Sequence, residues 1–450
     1  MARDPGDTEL EAQIEQWRSY VRGRPAIAAA DVEEMEDHLR ERVADLVGAG
    51  LSSDEAFLVA VKRMGSVDEI SREFAREHSD RLWKQLMLPA NAEGGGAGVP
   101  RDLVVALGFA SAAAVAVRLA WWVLGEEDFV RNAAPIVLPF LVAYFAWKRA
   151  LPVPTVALLL LPFVVAAAVV NGLPFESGGS TEIIAMIHAP IALWLVVGAA
   201  YVGGEWRSDR RRMDFVRFTG EWFIYFALIA FGGGVLIGLT AGTFQALDLD
   251  PEWLIADWVL PLGVPGAVIV AAWLVEAKQS VVENMAPVLT RIFTPITALM
   301  LLGLFVAFVT TGNFVDVERD LLILMDLILV LVLGLLLYAI SAREASEPPG
   351  LFDYLQLVLV VVALAVDALM LAAMLTRIAD AGFTANKVAA LGLNLVVLVN
   401  LAWSVRLGVE FVRGRTGFAA LERWQTSYLP VYGIWAAGLV LVLPPIFGFE

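Results

Sequence analysis

The stretch YLQLVLVVVALAVDALMLAAML (354–375) carries a single charge, Asp367, and its reading decides the fold. A helix of this length crosses a hydrocarbon core of about 30 Å. It leads into TRIADAGFTANK (376–387), a short connection holding an arginine and a lysine, and then into a second apolar run, VAALGLNLVVLVNLAWSVRLG (388–408). Two membrane-spanning helices joined by a hairpin are expected here.

The rest of the chain follows the same pattern. Hydrophobic residues make up 59% of its 450 residues, yet it carries 32 Lys/Arg and 48 Asp/Glu, so charge and apolarity must be segregated. The first hundred residues hold 20 Asp/Glu and 12 Lys/Arg, and beyond residue 101 apolar runs recur to the end. Counting windows predicts an all-α polytopic membrane protein of about eleven spans: 103–124, 133–149, 153–173, 183–203, 221–243, 253–275, 291–311, 321–341, 354–376, 387–408 and 429–447. Alternate connections are basic: Lys148-Arg149, EWRSDRRRMDFVRF (205–218), Lys278, Arg343, then Arg406, Arg413, Arg415 and Arg423. The others read GEEDFVRN, NGLPFESGGSTE, TFQALDLDPE and GNFVDVERD. By the positive-inside rule this predicts a cytoplasmic N-terminus, an outside C-terminus and a place in the cytoplasmic (inner) membrane. TRIADAGFTANK, although basic, falls outside.

Residues 1–88 read as a separate cytoplasmic helical domain, followed by a Gly-rich linker over 89–100 (PANAEGGGAGVP) and the transmembrane domain over 101–450. Ser52-Ser53-Asp54-Glu55 and Ser66-Val67-Asp68-Glu69 fit the capping box, in which a serine and a carboxylate three residues on satisfy free backbone donors at a helix start. Val32, Met35, Leu39, Val43 and Leu46 share one helix face, and Phe57, Val61 and Met64 another, which predicts three or four short helices in a small bundle. No signal peptide is read ahead of it.

The segments IEQWRSYV (14–21), DVEEMEDHLRERVADL (31–46), GLSSDEAF (50–57) and KRMGSVDEISREFARE (62–77) resemble the permease-prefix, or HAAS-type, domain of bacterial membrane proteins. That resemblance covers roughly residues 8 to 80. It implies an appended cytoplasmic module on a regulated membrane protein, and a cytoplasmic regulatory protein as its partner. Asp367, Arg377, Gly382-Phe383-Thr384-Ala385-Asn386-Lys387 and Asn394, with ERWQTSYLPVYGIWAAGLVLVLPPIFGF (422–449), resemble an uncharacterised multi-pass bacterial family with an R-x4-G-x-T-x-N-[RK] motif. Lys387 stands where arginine is expected, which keeps the charge and loses the planar fork. This resemblance implies no particular reaction.

Residue inventory removes several chemistries. There is no cysteine, so no thiol nucleophile, thiolate site or disulfide. Neither G-x-x-x-x-G-K-[ST] nor H-E-x-x-H occurs. No metal site, cofactor or catalytic residue is expected, and Asp326 and Asp367 lack the glycine-rich surroundings of an intramembrane aspartyl protease. A net charge of −16 argues against nucleic acid.

Candidate binding residues are those that lipid should reject. Asp326, Asp367 and Asn394 fall inside spans eight, nine and ten, with Arg377 and Lys387 at the hairpin above them. Such groups cost several kcal/mol in hydrocarbon unless they pair or line a wet cavity. Together they suggest an outward-facing pocket for an ion or a small solute. For Gly382 and Thr384 a structural role is the better expectation: a glycine cap ending span nine and a threonine N-cap opening span ten. His188, two residues ahead of Pro190 in span four, is a further candidate ligand, with a packing role as its alternative. Arg207, Arg210, Arg211 and Arg212 suggest contact with lipid headgroups or a partner, or simply a topology signal. Phe231-Gly232-Gly233-Gly234 and Pro261-Leu262-Gly263-Val264-Pro265-Gly266 predict thinned, kinked or interrupted helices in spans five and six.

The sequence thus reads as a permease or channel for an ion or small solute with a regulatory prefix domain. The alternatives are a membrane-embedded sensor of a small ligand or lipid and, third, a lipid-modifying enzyme.

Overall fold

The computed structural model of the chain describes residues 10, 13, 14, 18, 29–48, 52–64, 101–247, 249–277, 285–311, 319–343 and 347–450. The second capping box (66–69), the linker (89–100), Lys278 and most of GNFVDVERD (312–318) lie outside the described residues. Helices account for the architecture, and no strand occurs among the described residues. The chain divides into two compact units, Met1–Gly98 and Val99–Glu450.

In the first unit, α1 (Ala29–Gly48) and α2 (Ser53–Met64) pack on each other. Leu39 and Val43 of the α1 stripe are buried with Ala56 and Ala60 of α2 and with Ile14 from the preceding segment. α2 begins within the first expected capping box, where the Ser52 carbonyl accepts from Ala56 N–H at 2.9 Å. Glu36 ties the pieces together by pairing with Arg18 at 3.3 Å and Arg40 at 2.9 Å. Burial pushes the Glu36 carboxyl up, and the hydrogen bonds from Arg40 and Arg18 outweigh it, leaving the group below its usual value.

The second unit holds α3 (Arg101–Gly125), α4 (Asp128–Lys148), α5 (Val153–Gly172), α6 (Ser180–Tyr201), α7 (Asp209–Ala246), α8 (Glu252–Ala277), α9 (Met285–Thr311), α10 (Arg319–Ser341), α11 (Leu351–Ala381), α12 (Ala385–Val412) and α13 (Ala419–Leu441). These follow the eleven expected spans in order, so span eight is α10 and span nine α11. Helices α3 to α12 are long and apolar enough to cross a membrane, which makes the protein an integral, multi-pass one. α13 opens on Glu422, Arg423, Gln425 and Thr426 and is too polar to qualify by composition. It runs from one end of the bundle to the other nonetheless. Thr426 donates to Asp209 at the start of α7 (3.3 Å), and past the far end of α13 the carbonyls of Phe449 and Glu450 accept from Glu176 (3.0 Å) and Thr181 (2.7 Å).

Polar locks mark the two ends of the bundle. At the arginine-rich end, Glu276, its side chain only 3% exposed, pairs with Lys148 (3.2 Å) and Arg149 (3.0 Å), Arg343 pairs with Asp353 (2.9 Å), and Arg217 Nε donates to the Ser341 carbonyl (2.9 Å). At the opposite end, Asn132 and Asn171 exchange amide bonds at 2.8 and 2.7 Å, Arg131 pairs with Glu182 (3.3 Å), and Asn386 donates to Ser180 (2.7 Å). Helix ends in a bilayer have no water inside the hydrocarbon to satisfy them, and these bonds supply partners between helices. Two apolar cores fill the space between. One is centred on Leu141, Tyr144, Phe145, Phe218 and Ile269, the other on Leu301, Met325, Leu359, Met370 and Leu401. The first half of α7 is their seam: Phe215 and Phe218 enter the first core, Met213 and Val216 the second.

Two expectations about irregular helices change. α7 runs unbroken through Gly232–Gly234, and a Cβ added at any of those glycines would meet nothing within 4 Å. They neither interrupt the helix nor admit a neighbour. In α8 the irregularity lies just before the prolines, as a π-helical turn over Ile255–Val259. Pro261 and Pro265 have no N–H to give the preceding turn, and a wider turn ahead of them absorbs part of that mismatch.

Candidate functional site

Three helices build the site. α10 contributes Asp326, α11 Asp367 and α12 Asn394, while Met325, Val366, Met370 and Val397 beside them belong to one packed core. Asp367 lies midway along α11 and is 0% exposed. Asn394, also 0% exposed, donates one amide hydrogen to Asp326 Oδ1 and the other to the Ala390 carbonyl, both at 2.9 Å.

The site is therefore rich in acceptors. Both hydrogens of the Asn394 amide are used, while Asn394 Oδ1 and both oxygens of Asp367 are buried with no hydrogen-bond partner among the described residues. The Asp326 carboxylate lies within electrostatic reach of Asp367. A buried carboxylate of this kind requires a positive partner, either a proton or a cation, because leaving it charged and alone costs several kcal/mol.

The hairpin above it answers to backbone needs. α11 ends at Gly382, whose φ of 73° favours glycine and whose N–H returns to the Ile378 carbonyl at 2.8 Å. With ψ at −178° it lies in a region of positive φ open essentially to glycine alone, outside the left-handed helical one. Thr384 N-caps α12, its hydroxyl accepting from Lys387 N–H at 3.4 Å. Lys387 Nζ donates to the carbonyls of Arg377 (3.1 Å) and Gly382 (2.9 Å) at the end of α11. Its charge is spent on the helix terminus, where the macrodipole also favours it. Arg377 is half-buried one turn before that terminus.

Of the six expected ligand residues, Asp326, Asp367 and Asn394 come together, while Arg377 and Lys387 belong to the hairpin. His188 lies apart on α6, with Nδ1 2.8 Å from the Ile184 carbonyl of its own helix; since a carbonyl only accepts, Nδ1 carries the hydrogen. No hydrogen bond joins His188 to the acidic pair among the described residues.

At the arginine-rich end, Arg211 pairs with Glu205 at 3.3 Å and Arg212 pairs with Asp209. Arg207 and Arg210 are exposed and form no ion pair among the described residues.

Two polar clusters escaped the sequence reading. Asn400, Ser404 and Gln425, buried between α12 and α13, bond in a ring: Asn400 to Gln425 (3.0 Å), Gln425 to Ser404 (2.7 Å) and Ser404 to the Asn400 carbonyl (2.7 Å). The i, i+4 spacing of Asn400 and Ser404 was a usable signal. Glu276, with its two cations, is the other. Both are satisfied, and so stabilise packing where the Asp367 cluster leaves acceptors open. Among the described residues no group of three or more His, Cys, Asp or Glu is placed to hold a metal ion. Comparison with protein-family models, curated proteins and solved structures gives no match to this chain.

Proposed function

We propose that the protein is a permease or channel for a small cation, the proton included, set in the cytoplasmic membrane with its arginine-rich end and N-terminal unit inside and its C-terminus outside. One observation carries this reading: Asp367 is enclosed at the middle of a membrane helix with neither oxygen receiving a hydrogen bond among the described residues, next to an Asp326–Asn394 pair whose amide hydrogens are already used. An acceptor-only site favours a positive solute, and the capping role of Lys387 removes the cation that would have suited an anion. The enclosed geometry suits an occluded stage of alternating access, in which the site opens to one side at a time. The orientation rests on the charge of the connections. The first unit, with its resemblance to a permease-prefix domain, is proposed as a cytoplasmic regulatory module.

The test uses the full chain in proteoliposomes. An imposed pH, Na+ or K+ gradient should be dissipated faster by the wild type than by empty vesicles, and Asp367→Asn should return the rate to that of empty vesicles. If the wild type dissipates none of these gradients, the permease reading fails; saturable binding without flux would then favour a sensor.

A further inference from the structure

A second site of different chemistry lies on the outside of the bundle. Helices α5, α6 and α13 enclose a groove of about 470 Å³. Its walls include Leu158 and Pro162 of α5, Ala192 and Ala199 of α6, Ala437 of α13 and, beyond α6, Trp206. It forms because α6 packs closely on α13 while α5 barely touches α13. Small side chains along α6 then leave the space unfilled. The groove reaches buried residues such as Leu193 and Val440, and its rim residues Leu158 and Ile434 are 68% and 73% exposed. Empty, such a space forfeits the dispersion contacts of every atom lining it, and its apolar walls offer water no partners. Hydrocarbon is the occupant that restores those contacts.

The chain beyond α6 adds a second, independent feature. Gly203 and Gly204 take φ of 70° and 84°, turning the chain so that Trp206 folds back against the bundle at the arginine-rich end of the groove. The residues that follow are Arg207, Ser208, Asp209 and Arg210. Glu205 is taken by Arg211 and Asp209 by Arg212, and Arg207 and Arg210, one and four residues after Trp206, are exposed and form no ion pair among the described residues. An aromatic side chain at the boundary followed by open guanidiniums suits a phosphodiester headgroup above an acyl chain.

We infer that this groove is a binding site for one anionic phospholipid, its acyl chain lying between α5, α6 and α13 and its phosphate held by Arg207 and Arg210. This site is independent of Asp367 and of any transport activity.

The test reconstitutes the full chain in nanodiscs of equal parts phosphatidylglycerol and phosphatidylcholine, then reads the lipid retained after partial delipidation by native mass spectrometry. The wild type should keep phosphatidylglycerol in preference by roughly thirtyfold, the scale of two interfacial arginines. The surface double variant R207Q/R210Q should retain lipid with the preference reduced to near parity. Ala437→Phe and Ala192→Phe, which fill the groove from two sides, should each lower retention of both lipids. Inorganic phosphate at millimolar concentration should displace nothing, because it has no acyl chain. Equal retention of both lipids by the wild type, an unchanged preference in R207Q/R210Q, full retention in both groove variants, displacement by phosphate, or a lipid-free dimer joined through this face would each overturn the inference.

Discussion

Asparagine matches aspartate in shape, so Asp367→Asn separates charge from volume at the centre of α11. The change removes a carboxylate that has no donor among the described residues and supplies an amide hydrogen to a buried site whose acceptors, including Asn394 Oδ1, are open among those same residues. Asp367→Asn is therefore expected to be at least as stable as the wild type, by about 1–3 kcal/mol in thermal or denaturant unfolding in detergent at low salt. A large loss of stability would mean that Asp367 has a fixed cationic partner. Thr384→Ala should behave oppositely, costing about 1 kcal/mol through the lost N-cap and leaving cation flux intact. A flux defect in a folded Thr384→Ala protein would tie the hairpin to the site. Asp367 could be singled out from sequence because a carboxylate inside an apolar run has no bland explanation. The role of Lys387 could not, since it depends on where the folded turn places the carbonyls of Arg377 and Gly382.

At the scale of helices, the glycines that draw the eye in sequence differ from those that pack. A Cβ at Gly234 or Gly238 of α7 would meet nothing within 4 Å, whereas one at Gly392 would fall 1.9 Å from the Trp435 ring and one at Gly198 2.6 Å from Phe215. Gly234→Ala and Gly238→Ala should thus be neutral or stabilising by up to about 1 kcal/mol, since alanine loses less entropy in a helix. Gly392→Ala should destabilise by about 1–3 kcal/mol, because Trp435 must move within a packed cluster. Melting temperatures of the three variants in one detergent decide the matter; loss of folding in the α7 variants would show that this helix face is in contact after all. Span boundaries were legible because hydropathy reports burial in lipid directly. Close approach between helices was not, since it depends on which residue of a distant helix faces the glycine, as Trp435 of α13 faces Gly392 of α12.

For the whole molecule, the locks at each end fix which connections share a side, and the charge rule says which side that is. The described structure joins the start of α13 to the start of α7, and the C-terminal residues to the connection before α6, so α13 runs the same way as α7 and against α6, as the loop charges predict for these three helices. The chain has no cysteine, and a single introduced one reports its own location. Glu205→Cys and Gly417→Cys lie exposed at the arginine-rich end, and Ser177→Cys lies exposed at the opposite end. In intact cells an impermeant maleimide should label Ser177→Cys and spare the other two until the membrane is opened. Labelling at 205 and 417 with protection at 177 would invert the molecule, placing the hairpin of α11 and α12 inside and the arginine cluster outside. The relative arrangement of the helices would survive that result, but the N-terminal unit could no longer be a cytoplasmic module. Labelling at only one of 205 and 417 would be more damaging, since it would place the starts of α7 and α13 on opposite sides and so contradict the contact between Thr426 and Asp209 that sets the direction of α13, the helix expected as the span 429–447.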